Sequence, residues 1–270
     1  MNRETVYAYY DPPSIQTMEE HVKLALEAFG EKGILVRFGQ SLSPAFYTLL
    51  KLGLLFHDFG KVLFSPRDGK LSFTGHEVVS GWVVYRLLES REGGKILDKL
   101  GVKKRSIQNE RSIQNGALVL AVMLHHHPMD FPSRLKKFRE RVEKGSWCRL
   151  TTNHVKAFVA SVATPAYEHL SLDSNELENF LVEALGTSEA RCLDICSATK
   201  RIYEDLLWKN VWREGTVFSR RLFLLLLQGI VAADYKASQP RSRGVPVSMF
   251  AHAIKIFLRH YSGVSRPSSA

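Results

Sequence analysis

An all-α fold with one small β-hairpin is what the sequence predicts, on three observations. Apolar residues recur at helical rather than alternating spacing through most of the 270 residues. Helix start and stop signals flank these runs. The hydrophobic fraction of 45% and charged fraction of 24% suit a chain with a core to fill. No low-complexity linker divides it, so 1–270 reads as a single domain.

Taken in chain order, Thr17, Met18, Glu19 and Glu20 form a capping-box signal that opens a first helix. Its apolar stripe is Met18, Val22, Leu26 and Phe29. A second helix is expected from Pro44, a residue suited to a first turn, through to His57 and Asp58 before Gly60. A third is expected from another capping box, Thr74 to Glu77, continuing through Val83, Leu87 and Leu88. Further helices are expected at 116–126, 133–144, 153–163, 174–185, 190–209, 219–236 and 247–262, with loops at 30–43, 91–115 and 237–246. The hairpin is placed across Val62 to Phe73, turning at Arg67, Asp68, Gly69 and Lys70. Arg105 to Glu110 is repeated, one residue short, as Arg111 to Asn115; this polar duplication reads as an exposed insertion without a function.

The net charge of +10 favours a polyanionic partner such as nucleic acid, against the plainer reading of a solvated basic surface. Three cysteines, Cys148, Cys192 and Cys196, are too few for a disulfide framework or a cysteine-rich zinc site, and point to a reduced, cytoplasmic compartment. Residues 1–10 carry charge and tyrosines instead of an apolar run, unlike a secretory signal. The stretch 222–233 is strongly apolar but short of the roughly 20 residues a bilayer requires, so it reads as a fully buried helix and no membrane association is expected.

The chemistry is carried by side chains that should not sit in apolar surroundings alone. His57 and Asp58 end the run Leu54, Leu55, Phe56, and burying an imidazole beside a carboxylate is costly unless both are satisfied. His21 falls near the apolar face of the first helix, where a backbone-bonded core histidine is the plainer reading. His76 lies in the first turn of its helix beside Gly75. His125, His126 and His127 stand at the end of an apolar helix stopped by Pro128, where a solvated cationic helix end competes with ligation. Asp234 follows a run from Leu224 to Ala233, so it needs a metal or an arginine such as Arg220, Arg241 or Arg243. Together these supply ligands for two ions, with Asp58 able to bridge. Such a pair generates hydroxide near neutral pH and stabilises both oxygens exchanged at phosphorus. Imidazole-rich ligation favours Mn, Fe, Co, Ni or Zn over Mg.

The ordered set of His21, His57-Asp58-Phe59-Gly60-Lys61, Gly75-His76-Glu77, paired histidines and 233–238 resembles the HD phosphohydrolase superfamily. In finer pattern it resembles the HD nuclease of CRISPR type I systems in its stand-alone form, and the resemblance runs from residue 21 to 238. It implies an HD-domain helical fold and a metal-dependent nuclease, endo- or exonucleolytic, acting on single-stranded DNA, with RNA or R-loop strands as further substrates, in antiviral defence. His21, His57, Asp58 and Asp234 would hold one metal. His76, His125 and His126, with Asp58 bridging, would hold the second. His125 and His126 are taken because the helical run enters them directly; His126 and His127 are the one-residue alternative. Lys61 would contact the scissile phosphate or its leaving oxygen. No Gly-x-x-x-x-Gly-Lys-[Ser/Thr] loop occurs in the sequence, so unwinding would fall to a separate helicase subunit within the CRISPR effector complex.

Basic residues near these ligands (Lys61, Arg67, Lys70, Arg134, Lys136, Lys137, Arg139, Arg141, Lys236, Arg241 and Arg243) would hold phosphates, and Phe59, Phe64 and Phe73 would stack bases or pack in the core. An HD phosphohydrolase of small nucleotides is the alternative enzyme. A non-catalytic subunit of a nucleic-acid complex is the reading from another class.

Overall fold

A computed structural model describes residues 5–64, 71–102, 108–126, 130–144, 148–186, 189–239 and 248–264. Within them the fold is all-α with two small two-stranded sheets. The helices are α1 (Met18–Leu26), α2 (Ile34–Leu42), α3 (Phe46–Phe56), α4 (His76–Glu89), α5 (Arg91–Lys99) and α6 (Gln108–Met123), then α7 (Phe131–Lys144), α8 (Thr152–Leu170), α9 (Ser174–Leu185), α10 (Cys192–Asp205), α11 (Val217–Ser238) and α12 (Met249–Tyr261). A 3-10 turn (Phe59–Leu63) follows α3, and a π-helical segment (Leu206–Arg213) follows α10.

The core is built where α1, α3, α4, α6 and α11 pack against one another. On α3, Leu49, Leu50, Leu54 and Leu55 are all buried. Removing each side chain from water contributes about 1.5–3 kcal/mol before the entropy of ordering is counted. Phe56 stacks on Phe158 of α8, and Phe59 tilts against the same ring at 4.6 Å. These contacts fix the chain segment that carries His57, Asp58 and Lys61 against the middle of the molecule.

Several local expectations change. The expected hairpin across Val62 to Phe73 is not a hairpin in its described part: Val62 and Leu63 finish the 3-10 turn, and 65–70 lie outside the described residues. Close approach explains this, because Gly60 sits against the backbone of His76, where a Cβ would fall 2.2 Å from the His76 carbonyl oxygen. The hairpin lies earlier, β1 (Tyr7–Asp11) pairing antiparallel with β2 (Ser14–Thr17). A second pair joins β3 (Arg149–Thr151) to β4 (Glu189–Arg191).

The box at Thr17 forms, with Thr17 Oγ1 accepting from Glu20 N and Glu20 Oε2 accepting from Thr17 N. The one at Thr74 does not. Gly75 is the N-cap of α4 at φ +91°, and Glu77 is turned to Arg134 instead of back to the cap. Helices also occupy the expected loops at 30–43 and 91–115, where α2, α5 and the start of α6 lie, so 108–115 of the duplication are helical, with Gln114 and Asn115 buried. α8 runs on past Pro165 to Leu170.

The cysteine reading is corrected as well. Cys148 and Cys192 form a disulfide across the strand pair, their Cα atoms 5.5 Å apart, while Cys196 is free and buried. The β3–β4 ladder brings them together, as the Cys192 N–H donating to the Cys148 carbonyl shows. Nor is 222–233 apolar-buried all round, since Leu224 is 48% exposed. Among the described residues no helix is long and apolar enough to cross a membrane.

Candidate metal centre

Six separate elements deliver side chains to one place. His21 comes from the buried face of α1, and His57 caps the C-terminus of α3. Asp58 is the N-cap of the 3-10 turn that holds Lys61, His76 is the first residue of α4, His125 and His126 follow α6, and Asp234 lies in the last turns of α11. Among the described residues they form two groups, His21, His57, Asp58 and Asp234, and His76, His125 and His126. Within each, the potential ligand atoms all lie within 4.8 Å of one another. His127 lies outside the described residues.

Asp58 stands between the groups, 1% exposed. Its Oδ2 is 3.1 Å from His21 Nε2 and 3.6 Å from His57 Nε2. Its Oδ1 is 3.0 Å from His76 Nε2 and 3.9 Å from His125 Nε2. Each oxygen therefore faces a different group. Asp234 Oδ1 adds a second carboxylate at 3.2 Å from His21 Nε2 and 3.8 Å from His57 Nε2. Of the arginines weighed as partners for Asp234, Arg220 donates its Nε–H to the Val211 carbonyl, and Arg241 and Arg243 lie outside the described residues.

The imidazoles are aimed by the backbone. His57 Nδ1 donates to the Leu54 carbonyl at 2.8 Å, His76 Nδ1 to Phe73 at 2.7 Å and His125 Nδ1 to Val122 at 2.7 Å. A carbonyl can only accept, so in each neutral ring Nδ1 carries the proton and Nε2 points inward as a lone pair. Outer-nitrogen bonds of this kind orient metal-ligating histidines.

Two buried atoms in the centre lack a hydrogen-bond partner, Asp58 Oδ1 and His125 Nε2. An unsatisfied buried polar atom costs about 1–3 kcal/mol. His76 and His126 meet Nε2 to Nε2 at 3.0 Å, and His21 and His57 at 3.2 Å. Converging lone pairs and two unpartnered atoms fit a divalent cation in each group, and the nitrogen-rich donor set fits a transition metal.

Electrostatics prepares the groups unequally. Burial pushes Asp58 up, but Lys61 and His57 outweigh it and hold the carboxyl well below its usual range. Asp234 is likewise held well below, burial being overcome by the neighbouring imidazoles of His21 and His57. His125 is pushed down to about 4 by burial and by His57 and His76. His126 is also lowered, by burial and its neighbours His125 and His76. His57 goes the other way: burial lowers it, but Asp58 and Asp234 raise it further.

Lys61, expected at the scissile phosphate, is 5% exposed, with its ammonium held by Asp58 Oδ2 at 2.6 Å and the Ala8 carbonyl at 3.0 Å. Part of the expected basic surface is also committed. Arg134 pairs with Glu77, Lys136 lies 4.0 Å from Glu140 and Arg139 2.8 Å from Glu143. Arg141 donates to the Ser72 carbonyl and Lys236 to that of Glu27, while Lys137 is exposed. Arg67 and Lys70 lie outside the described residues. Phe59 and Phe64 are buried in the core, and Phe73 packs edge-on against Phe64.

One residue at the centre is not among the expected ligands, although the sequence places it in a capping box and in the Gly75-His76-Glu77 set. Glu77 is fully buried, its Oε2 3.4 Å from His76 Nδ1 and 2.8 Å from Arg134 Nη2. The available sequence signal was a carboxylate next to a candidate ligand in an otherwise apolar helix, Val78, Val79 and Trp82 following it. Searches of protein-family models, of curated proteins and of solved structures return no significant match to this chain.

Proposed function

We propose that the protein is a metal-dependent phosphodiesterase of the HD type, a nuclease that cleaves single-stranded DNA, with RNA or R-loop strands as further substrates. The observation that carries this reading is Asp58, one carboxylate with an oxygen turned to each of two ligand groups. His21, His57, Asp58 and Asp234 would hold one ion, and His76, His125 and His126, sharing Asp58, the other. A pair of divalent ions held this way supplies Lewis acidity at phosphorus and a nucleophile at neutral pH.

The chain's own residues do the positioning. Three backbone carbonyls lock three imidazoles with Nε2 inward. Lys61 neutralises and orients Asp58 Oδ2, acting through the ligand instead of touching substrate. Asp234, 19% exposed on its side chain, and half-buried His126 mark the side from which a phosphodiester reaches the centre. By the same resemblance, the nuclease serves CRISPR interference in the cytoplasm, with helicase activity on a separate subunit. The Cys148–Cys192 disulfide bears on that location, since intracellular disulfides are a hyperthermophile trait.

A specific observation favours a second reading, a phosphohydrolase of small nucleotides: three of the basic residues expected at phosphates, Arg134, Lys136 and Arg139, are paired with acids. The test is cleavage of end-labelled single-stranded DNA with Mn, Ni, Co, Mg or EDTA, comparing wild type with Asp58→Asn. Metal- and Asp58-dependent cleavage is expected, and the product ladder separates endo- from exonucleolytic action. Hydrolysis of free nucleotides with none of single-stranded DNA would replace the nuclease reading by the second.

A further inference from the structure

Helix α7 carries none of the ligands, yet one of its faces runs along the segment that holds His76. Residues 134, 138 and 141 fall at i, i+4 and i+7 and so share a face. Arg134 grips both oxygens of Glu77, with Nη2 2.8 Å from Oε2 and Nε against Oε1. The buried Phe138 ring lies against Gly75 and leaves no room there for a Cβ. Arg141 donates to the Ser72 carbonyl at 3.1 Å and sits over the Phe64 ring. The partners 77, 75 and 72 descend as the α7 positions rise, so helix and segment lie antiparallel.

These contacts enclose His76. Its neighbours on both sides, Gly75 and Glu77, are held from α7, and so is Ser72, next to the Phe73 whose carbonyl accepts from His76 Nδ1. Glu77 Oε2 is itself 3.4 Å from that nitrogen. Arg134 also stands shortly after His126 in the chain, so the Glu77 pair ties the strand leaving the paired histidines to the helix that begins with His76. The two rings meet Nε2 to Nε2 at 3.0 Å. In contrast, α7 packs chiefly on α10, and not on α1, α3 or α11, which bring His21, His57 and Asp234. The two ligand groups therefore differ in what holds them.

We propose that α7 is a splint for His76, with Arg134, acting through Glu77, and Arg141, acting through the Ser72 carbonyl, as positioning residues for the second ion. The inference rests on the two-ion reading above and adds an order of dependence: the ion of the His76 group needs α7, and that of the His21 group does not. Losing support of this kind weakens a metal site by about 10–100-fold.

The test is Mn binding to the EDTA-stripped full chain by titration calorimetry, with thermal unfolding of the metal-free protein alongside. Wild type should bind two ions. The double change Glu77→Gln with Arg134→Gln removes both charges, so no buried charge is stranded. Arg141→Gln, at a partly exposed site, spares the core. Each should keep one ion near wild-type affinity and weaken the other, the double change by about 10–100-fold and Arg141→Gln by less. Asp234→Asn, which removes a ligand of the His21 group, identifies the ion: added to the double change, it should leave neither ion tightly held. Two ions at wild-type affinity in the splint variants, even with a lower Tm, would overturn the splint alone. So would equal weakening of both ions, or a triple variant that still holds one tightly. A wild type that binds fewer than two ions would strike down the two-ion reading, and the splint with it.

Discussion

Replacing Asp58 by Asn separates a metal-bridging carboxylate from a merely structural one. The amide keeps the shape and leaves one oxygen to accept from Lys61, whose ammonium is 2.6 Å from Asp58 Oδ2. It removes a carboxylate whose two oxygens face His21 and His57 on one side and His76 and His125 on the other. Ion binding to the folded state alone stabilises it by about 2.7 kcal/mol at a free concentration of 100 Kd. For a chain of this size that raises Tm by about 5–10 °C. Losing even a residue that only supports a ligand weakens affinity by about 10–100-fold. At a 100-fold loss the same metal concentration equals the new Kd, and the stabilisation drops to about 0.4 kcal/mol, or about 1 °C. The assay is thermal unfolding of EDTA-treated, dialysed protein with and without Mn, Co, Ni or Zn. The expected result is a large metal shift in wild type and almost none in Asp58→Asn. A variant that keeps the full shift would refute the bridging role. A variant that loses about 3–5 kcal/mol without metal and responds to metal like wild type would make Asp58 and Lys61 only a buried ion pair.

Three more outcomes follow from the same geometry. Because His57 is held above its ordinary range, a proton competes with metal there as pH falls towards and below that raised value, while His125, at about 4, and the likewise lowered His126 stay neutral. Titrating Co-loaded protein from pH 8 to 5 should release the His57 group's ion first, seen as a two-step visible spectrum; a single step would contradict the unequal preparation. Glu77→Gln should cost about 3 kcal/mol, since it leaves the Arg134 guanidinium half-paired against a buried site. Glu77 is held below its usual range: burial raises it, but Arg134 and His76 prevail. Its contribution is therefore present above about pH 4.3, the unfolded value, and lost as pH falls through the folded one. Urea unfolding of both proteins at pH 7 and pH 3 should show the difference shrinking in acid. Gly75→Ala meets both a left-handed φ of +91° and a Cβ 2.2 Å from Phe138 Cγ. A loss of about 2–5 kcal/mol is expected in denaturant unfolding, and a loss under 1 kcal/mol would mean α4 can start elsewhere.

Much of this was legible because it rests on local rules. The Thr17 box, the apolar stripe of α1, and polar side chains embedded in apolar runs can be read without tertiary structure. What escaped depends on packing. Helix α2 is nine residues long, has Gly33 at its N-cap and contains Gly39, so its intrinsic propensity is poor. It forms because Leu35 and Val36 are buried. Helix α5 carries Gly93 and Gly94, so its propensity is poor too, and Ile96 and Leu97 anchor it. The Thr74 box matched by spacing alone: Arg134, fifty-seven residues later in the chain, outcompetes the cap for Glu77. Arg134, expected as a phosphate contact, is likewise claimed by Glu77, which only the fold brings near, whereas Arg139 pairs with Glu143 one turn away on α7.

The centre itself shows why a sequence pattern can report on a site before the fold is known. The last carbonyls of an α-helix have no N–H partner within the helix. At the ends of α3 and α6 the carbonyls three residues back, Leu54 and Val122, accept from His57 and His125 Nδ1. The apolar run that buries the helix and the histidine that ends it therefore solve one problem together: the imidazole caps an orphan carbonyl, and the cap fixes the lone pair inward. His76 repeats the relation with Phe73 O in the turn before α4, whose left-handed Gly75 lets the chain double back there. Once three rings are locked this way, the free-energy cost of the centre falls on Asp58 Oδ1 and His125 Nε2, the two buried atoms left unpaired. A fold seeking only stability would fill that position with leucine. Two unpaired atoms beside three pre-aimed ones are what a cation of the proposed kind would satisfy.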